Sequence, residues 1–284
     1  MIGCFPDELK EHYLAGRLIP FVGAGVSASV KWAEGGFEKH GPSWSELVDQ
    51  AARSLGFTEP DLLRARGIDL QILEYFGLKN YGQFSKLTNW LYAEMRPPDK
   101  ALLESKIHVQ LAKLDRCRLI YTTNYDDFIE RSLALHGRKC TPIVIEAHMG
   151  ESHSEPGSNG CEIVKFHGDF NYPDFMVISE SHYERRLTLS TAMDYRFRSD
   201  LLGRAVLFVG YSFRDWNVSY LFRLVNEQFN QLHGSVTGRR AYITVADPSD
   251  FEIQLYRARN IEVIPISSMH RSDDIAELLE EVRG

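Results

Sequence analysis

Apolar positions along the chain fall into short, dense runs separated by helix-length amphipathic stretches. "RLIPFV" at 17–22 is a continuous apolar run that stops at Gly23, Ala24 and Gly25, which predicts a buried strand followed by a tight turn. Beyond a polar, glycine-bearing loop, "KWAEGGFEKHGP", Ser43 and Glu46 have capping-box spacing. Trp44, Leu47, Val48, Ala51 and Leu55 follow at helical spacing, so a helix is predicted there. Residues from about 59 to 114 keep helical periodicity, punctuated by Gly67, Gly77 and Pro97-Pro98, with no alternating strand, and predict an inserted helical lobe. Farther on, strands are predicted at "RLIYT", "TPIVIE", "EIVKFHG", "FMVIS", "AVLFVGYS", "AYITVAD" and "IEVIPI". They alternate with helices at 125–135, at 179–203, from Asp215, after Asp247 and from Asp273. That alternation predicts an α/β fold: a Rossmann-like, doubly wound parallel sheet covered on both faces, in a single domain of residues 1–284 that carries the helical insertion.

Composition narrows the function classes. With 284 residues, 44% hydrophobic and 12% aromatic, the chain can bury a full core. Acidic residues outnumber basic ones, 39 to 32, for a net charge of -7, so a broad nucleic-acid-binding face is not expected. Basic residues cluster locally at Arg185, Arg186, Arg196 and Arg198, and at Arg239 and Arg240. The cysteines at 4, 117, 140 and 161 form no CxxC pair, which argues against a disulfide framework and a Cys-based zinc site and for a reducing, cytoplasmic setting. The start, "MIGCFPDELKEHYLAG", lacks a signal-peptide pattern, and "AVLFVG" is too short to span a bilayer; a soluble protein without membrane association is expected. His148 and His153, with Glu146 and Glu151, match no zinc helix motif, and no metal is expected.

Candidate chemistry gathers where strands end. "FVGAGVS", "YTTNYD" and "FVGYSFRD" each pass from apolar residues to small or polar ones, and glycines in two of them allow backbone N–H groups to approach a phosphate. By itself "GAGVS" fits neither GxGxxG, because Ala28 stands at the third glycine position, nor a P-loop; a simple packing turn is the competing reading. In "VKFHGD", His167 follows an apolar strand and offers an imidazole for acid or base work, against a purely structural role. Asn124 competes with a helix-cap role, as does Ser212, which has capping-box spacing to Asp215.

In chain order, "GAGVS", "TTNYD", "FHGD" and "VGYS" resemble the sirtuin family, also called silent information regulator two, over most of the chain outside the helical insertion. The resemblance implies a Rossmann-like sheet that consumes NAD at its mouth. It places Gly23, Ala24, Gly25 and Ser27 at the first phosphate-binding turn, and Thr123, Asn124 and Asp126 around the nicotinamide and its ribose. His167 then matches the catalytic histidine, Gly210 and Ser212 a later turn near the cofactor, and Asp247 the region of the adenosine ribose. The zinc ribbon of protein-deacylating sirtuins, with its two Cys pairs, is absent, as is the Gly-Ile-Pro-Asp-Phe-Arg continuation after "GAGVS". What remains looks like the sirtuin-like domains of bacterial anti-phage defence systems. That resemblance implies an NAD glycohydrolase using Asn124 and His167, assembled as a homo-oligomer and gated by a partner protein such as a HerA-type ATPase or a sensor. The helical insertion and "EAHMGESHSEPGSNG" are the expected contact or gating elements. A zinc-less NAD-dependent deacylase and a non-catalytic NAD or ADP-ribose binding subunit are the alternatives. Because Asp126 or Asp127 can cap the helix after "YTTNYDDF", replacing Asn124 is expected to cost little stability.

Overall fold

A computed structural model of the chain describes residues 6–149, 160–187, 191–211 and 241–284. The apolar runs become strands β1 (Leu18–Val22), β4 (Leu119–Thr122), β5 (Cys140–Ile143), β6 (Cys161–Lys165), β7 (Ala205–Val209), β8 (Ala241–Ala246) and β9 (Glu262–Ile266). They form one seven-stranded parallel sheet in the order β5-β6-β4-β1-β7-β8-β9. From β1 the chain builds the sheet first to one side and later to the other. The direction of winding therefore reverses at β1, the place where open α/β sheets leave a crevice beyond the strand ends.

Strand alternation divides the core into two layers. Ile19 and Phe21 join Tyr121, Val206 and Phe208 on one face, beneath Met193, Phe197 and Leu201 of the helix Ala192–Gly203 and Tyr256 of the helix Asp250–Arg257. Leu18 and Val22 join Ile120, Leu207 and Val209 on the other face, covered by the helices Asp7–Leu14, Lys106–Lys113, Phe128–Leu135 and Arg271–Arg283. Burying each such Leu, Val or Phe contributes about 1.5–3 kcal/mol, enough to hold both layers to the sheet.

Pro20 lies in the central strand, where a missing N–H would ordinarily break a ladder. Ala205 N–H donates to Arg17 O and Gly23 N–H to Val209 O, so the odd-numbered backbone groups of β1 point toward β7. Pro20 therefore turns its nitrogen toward β4. On that side the pairing is confined to Phe21 and Val22, whereas the β7 side pairs from Leu18 through Val22. A short ladder on one side absorbs the proline.

A third apolar cluster belongs to the helices Trp44–Ser54, Asp69–Lys79, Ser85–Glu94 and Asp99–Glu104, centred on Val48, Leu73, Phe76 and Leu102. The capping box of Ser43 and Glu46 is formed as its spacing predicts. Three expectations differ. The glycine-bearing loop is a hairpin, β2 (Lys31–Glu34) with β3 (Phe37–His40), because Gly35 and Gly36, at φ 59° and 85°, supply the two left-handed positions of a tight hairpin turn. "FMVIS" is not a strand: Met176 and Ile178 are buried in the helical cluster and the backbone bonds His167, Val177 N–H donating to its carbonyl at 3.0 Å. An apolar run alone cannot distinguish a ladder strand from a buried plug. The helix predicted from residue 125 starts at Phe128. The helix predicted from Asp215 lies outside the described residues. Among the described residues no helix is long and apolar enough to cross a membrane.

Candidate active site

Four neighbouring strands end level with one another. Val22 pairs with Val209 on one side and Thr122 on the other, and Thr122 pairs with Lys165. The next one or two residues of each chain segment therefore emerge along one edge: Gly210, Gly23, Asn124 and His167. This is the carboxyl edge of the sheet at the winding reversal.

The glycines press two backbone segments together. Gly23 opens a single helical turn, Ala24–Ser27, and Gly25 N–H donates to Gly210 O at 2.9 Å. A Cβ on Gly23 would lie 2.8 Å from both Gly210 O and the Tyr211 ring, and one on Gly210, at φ +77°, would lie 2.7 Å from the Val26 nitrogen. The packing role is thus realised in the geometry. Ala24 remains exposed, and Gly25 and Gly210 are half-buried, so the outer side of the turn is open to a ligand.

The loop after β4 is tied to β1 by side chains. Thr122 Oγ1 donates to Val22 O at 2.8 Å and accepts Asn124 N–H at 3.0 Å. The Tyr211 phenol donates to Val22 O at 3.1 Å, which leaves the Thr123 hydroxyl, 2.9 Å away, to donate to it. Asp126 Oδ1 accepts Phe128 N–H at 3.1 Å, whereas Asp127 makes no side-chain cap bond. Capping of this helix therefore belongs to Asp126, and Asn124 takes no part in it.

Asn124, only 5% exposed, has its amide orientation dictated by its neighbours. Nδ2 lies 2.8 Å from Ser27 Oγ and 3.1 Å from Gly23 O. The backbone oxygen can only accept, and the Ser27 hydroxyl hydrogen is already directed to Asp126 Oδ2 at 2.7 Å. Both neighbours require a donor, so the NH2 group faces them. Asn124 Oδ1 is then buried with no hydrogen-bond partner.

Behind this loop sits Lys165, whose side chain is fully buried. Its Nζ reaches Asp126 O at 2.5 Å, Glu130 Oε1 at 3.1 Å and Asp169 Oδ2 at 3.4 Å. Burial pulls the Lys165 pKa down, but Glu130, Asp169 and Asp126 together outweigh it and hold the ammonium charged. Burial raises the Asp126 carboxyl against the opposing pull of Lys165, the Ser27 hydroxyl and Phe128 N–H. The ammonium braces the post-β4 loop against the segment that carries His167.

His167 is 2% exposed, with the Tyr183 ring edge-on at 5.4 Å. Burial, and secondarily the charge of Arg186, pushes its pKa down to about 3. The imidazole is neutral throughout the physiological range. Arg186 itself stacks over Phe166 at 4.5 Å and pairs with the buried Asp194 at 3.1 Å.

Of the residues singled out in the sequence, Gly23, Gly25, Ser27, Thr123, Asn124, Asp126 and Gly210 fall in one cluster of contacts, with Ala24 in the same turn and His167 at the adjoining strand end. Asp247 stands apart at the end of β8, exposed, with φ 44° and its carboxylate accepting Ser268 N–H at 3.3 Å. Ser212 lies outside the described residues, as do Glu151 and His153. His148 and Glu146 bond within the protein: His148 Nδ1 accepts Val144 N–H and Glu146 accepts Ala192 N–H. Sequence reasoning missed Lys165 and Tyr211, although a lysine inside the apolar run "EIVKF" was a readable signal.

Comparison with known proteins bears on this arrangement. The family model for the SIR2-like domain matches residues 118–264. Over 297 aligned residues the chain is 26% identical to a protein of Acinetobacter baumannii named NAD(+) hydrolase ThsA, covering 99% of this chain and 55% of that protein. A Bacillus cereus protein of the same name is 25% identical over 305 residues, covering 100% of this chain and 57% of its own. Defense-associated sirtuin 2 of Bacillus subtilis is 24% identical over 290 residues, which span 94% of this chain and 25% of that protein. The chain spans about half the length of the two ThsA relatives.

Proposed function

The chain belongs to the SIR2-like domain family, and on that premise we propose that it is an NAD glycohydrolase of bacterial anti-phage defence, releasing nicotinamide from NAD. The relatives named NAD(+) hydrolase and defence-associated sirtuin support the reading. The observation that carries it is the buried, unpartnered Oδ1 of Asn124 at the edge where four strands end. A water molecule or a ribose hydroxyl supplies the donor that this oxygen lacks. In this reading the phosphates lie on the open side of the Gly23–Gly25 turn and Gly210, and the match of Asp247 to the adenosine-ribose region rests on the family resemblance alone.

In the reaction the bond from the ribose C1′ to the pyridinium nitrogen breaks, its electron pair neutralises that nitrogen, and water oxygen bonds to C1′. The products are nicotinamide, ADP-ribose and a proton. The transition state is oxocarbenium-like, so positioned dipoles matter more than a strong base. Asn124 Oδ1 orients the water or the ribose hydroxyl. His167, neutral, accepts the proton late, after C1′ has become electrophilic; a weakly basic imidazole suffices for that.

We take residues 1–284 as one NAD-binding domain in which the helices between about 59 and 114 are an insertion; their separate apolar cluster supports this. A homo-oligomer gated by a partner subunit such as an ATPase is the proposed working form. Exposed Leu62, Leu78 and Tyr81 on the helical lobe support a contact role there. Incubating purified protein with NAD, alone and with the co-expressed neighbouring gene product, and resolving nicotinamide and ADP-ribose by chromatography tests the proposal. Release of nicotinamide without any acylated peptide is expected. Release only with an acyl-lysine peptide, or tight NAD binding without turnover in every assembly, would overturn it.

A further inference from the structure

Ser27 and Asp126 sit where a direct contact with NAD is the simple expectation, but the two residues are only 3% and 4% exposed and their side chains bond within the protein. The Ser27 hydroxyl donates to Asp126 Oδ2 at 2.7 Å and accepts from Asn124 Nδ2 at 2.8 Å. Asp126 Oδ1 is taken by Phe128 N–H, and the Asp126 backbone carbonyl is held by Lys165 Nζ at 2.5 Å. We propose that Ser27 and Asp126 are positioning residues: a carboxylate-to-hydroxyl relay that fixes the Asn124 amide with its oxygen, not its NH2 group, turned toward the reacting ribose and water.

The direction of the relay follows from its ends. An ionised carboxylate only accepts, so the serine hydrogen must point to it and the serine lone pairs must meet a donor. Gly23 O imposes the same demand on the same NH2 group at 3.1 Å. A flipped amide would set oxygen against two acceptors and present two donors to the water, whose lone pairs would then be drawn away from C1′. Lys165 anchors the carboxylate end by gripping the backbone of the residue that bears it.

The inference rests on the NAD-cleaving reading, and two variants with two readouts separate the failure of one from the failure of the other. Ser27→Ala removes the hydroxyl that accepts from the amide; kcat is expected to fall about 10- to 100-fold, with the Kd and KM for NAD changed less than about threefold. Asp126→Asn lets the carboxamide donate to Ser27, so the serine hydrogen turns to Asn124 and opposes the demand of Gly23 O, and the amide loses its single fixed orientation; the same pattern of lost kcat is expected. A rise in KM with kcat unchanged in Ser27→Ala would show a direct NAD contact and overturn the relay. Wild-type protein that never cleaves NAD defeats the parent reading alone, because the Asn124 side-chain NH2 resonances in nitrogen-15 NMR still decide the relay. They should exchange slowly in wild type and faster in Ser27→Ala; exchange in wild type as fast as in an exposed amide would overturn it.

Discussion

Replacing Lys165 by methionine preserves a long apolar stem and deletes only the ammonium. Glu130 and Asp169 would then be buried with no counter-charge, Glu130 having one oxygen already without a hydrogen-bond partner, and the Tyr125 and Asp126 carbonyls would lose their donor. Removing one partner of a buried ion pair typically destabilises by about 3–5 kcal/mol. Against a total stability of about 5–15 kcal/mol, that is a large fraction. At roughly 2–4 °C per kcal/mol for a domain of somewhat smaller size, the melting temperature should fall by roughly 6–20 °C.

The loss should depend on pH. Burial raises the Glu130 carboxyl above its ordinary value even with Lys165 opposing, and without the ammonium it must rise further. A folded-state pKa above the unfolded one means that stability is fully present below the unfolded value and lost as pH rises through the folded value. Lys165→Met should therefore lie closer to wild type at pH 5 than at pH 8. Urea denaturation followed by circular dichroism at both pH values, with Glu130→Gln and the double variant completing a cycle, measures the coupling. A cost below about 1 kcal/mol at both pH values would refute the brace, since a breached buried pair cannot be that cheap.

Asn124→Ala should remove NAD cleavage and, by breaking two buried hydrogen bonds worth about 1 kcal/mol each, lower stability by about 2 kcal/mol in urea unfolding; undiminished stability would contradict the tie between the loops. That replaces the expectation of a nearly free substitution, which treated the residue as a redundant helix cap. Gly210→Ala, at φ +77° and with a Cβ 2.7 Å from the Val26 nitrogen, should cost more than the roughly 1 kcal/mol of an unfavourable φ alone, read as a lowered urea midpoint. The pH profile of kcat/KM, which reports the free enzyme, should show no inflection from His167 between pH 5 and 8, because its pKa is pushed down to about 3; a break near neutrality that vanishes in His167→Gln would refute this. Burial likewise pushes His108 down to about 4, so the stability it contributes is present above its unfolded value of about 6.5 and is lost as pH falls. His108→Gln should spare about 2 kcal/mol of the loss between pH 8 and pH 5.

Signals confined to one stretch of chain were legible. The β1 run, the capping box of Ser43 and Glu46, and the strand ends carrying Gly23, Asn124, His167 and Gly210 could each be read from residues adjacent in sequence. What escaped depends on long-range partners. A lysine inside the apolar strand is visible in the sequence, but its role appears only when Glu130, 35 residues earlier, closes on it. The Tyr211 phenol meets Thr123 across 88 residues. "FMVIS" has the composition of a strand, and only the helical lobe waiting to be plugged decides otherwise. The hairpin at Gly35 and Gly36 was different, since its paired glycines were a local signal that the surrounding charges obscured.

On the proposed function, the polar inventory of the strand ends would also divide the ligand. Thr122, Thr123, Ser27, Asp126 and Tyr211 spend their hydrogen bonds on one another or on the backbone, leaving Asn124 Oδ1 as the buried acceptor without a donor. An unmet acceptor of that kind typically costs about 1–3 kcal/mol, which a hydroxyl or water relieves on arrival and a phosphate, itself all acceptor at neutral pH, would aggravate. On the proposed NAD-cleaving reading, the phosphates would thereby be directed away from Asn124 toward the exposed outer side of the glycine turn, where Ala24 and Gly25 border the surface. Such a partition would set the reacting ribose beside the fixed amide and the neighbouring imidazole. The same glycines that weld β1 to β7 would thus fix the end of the ligand that does not react, and the threonine-asparagine loop would hold the end that does.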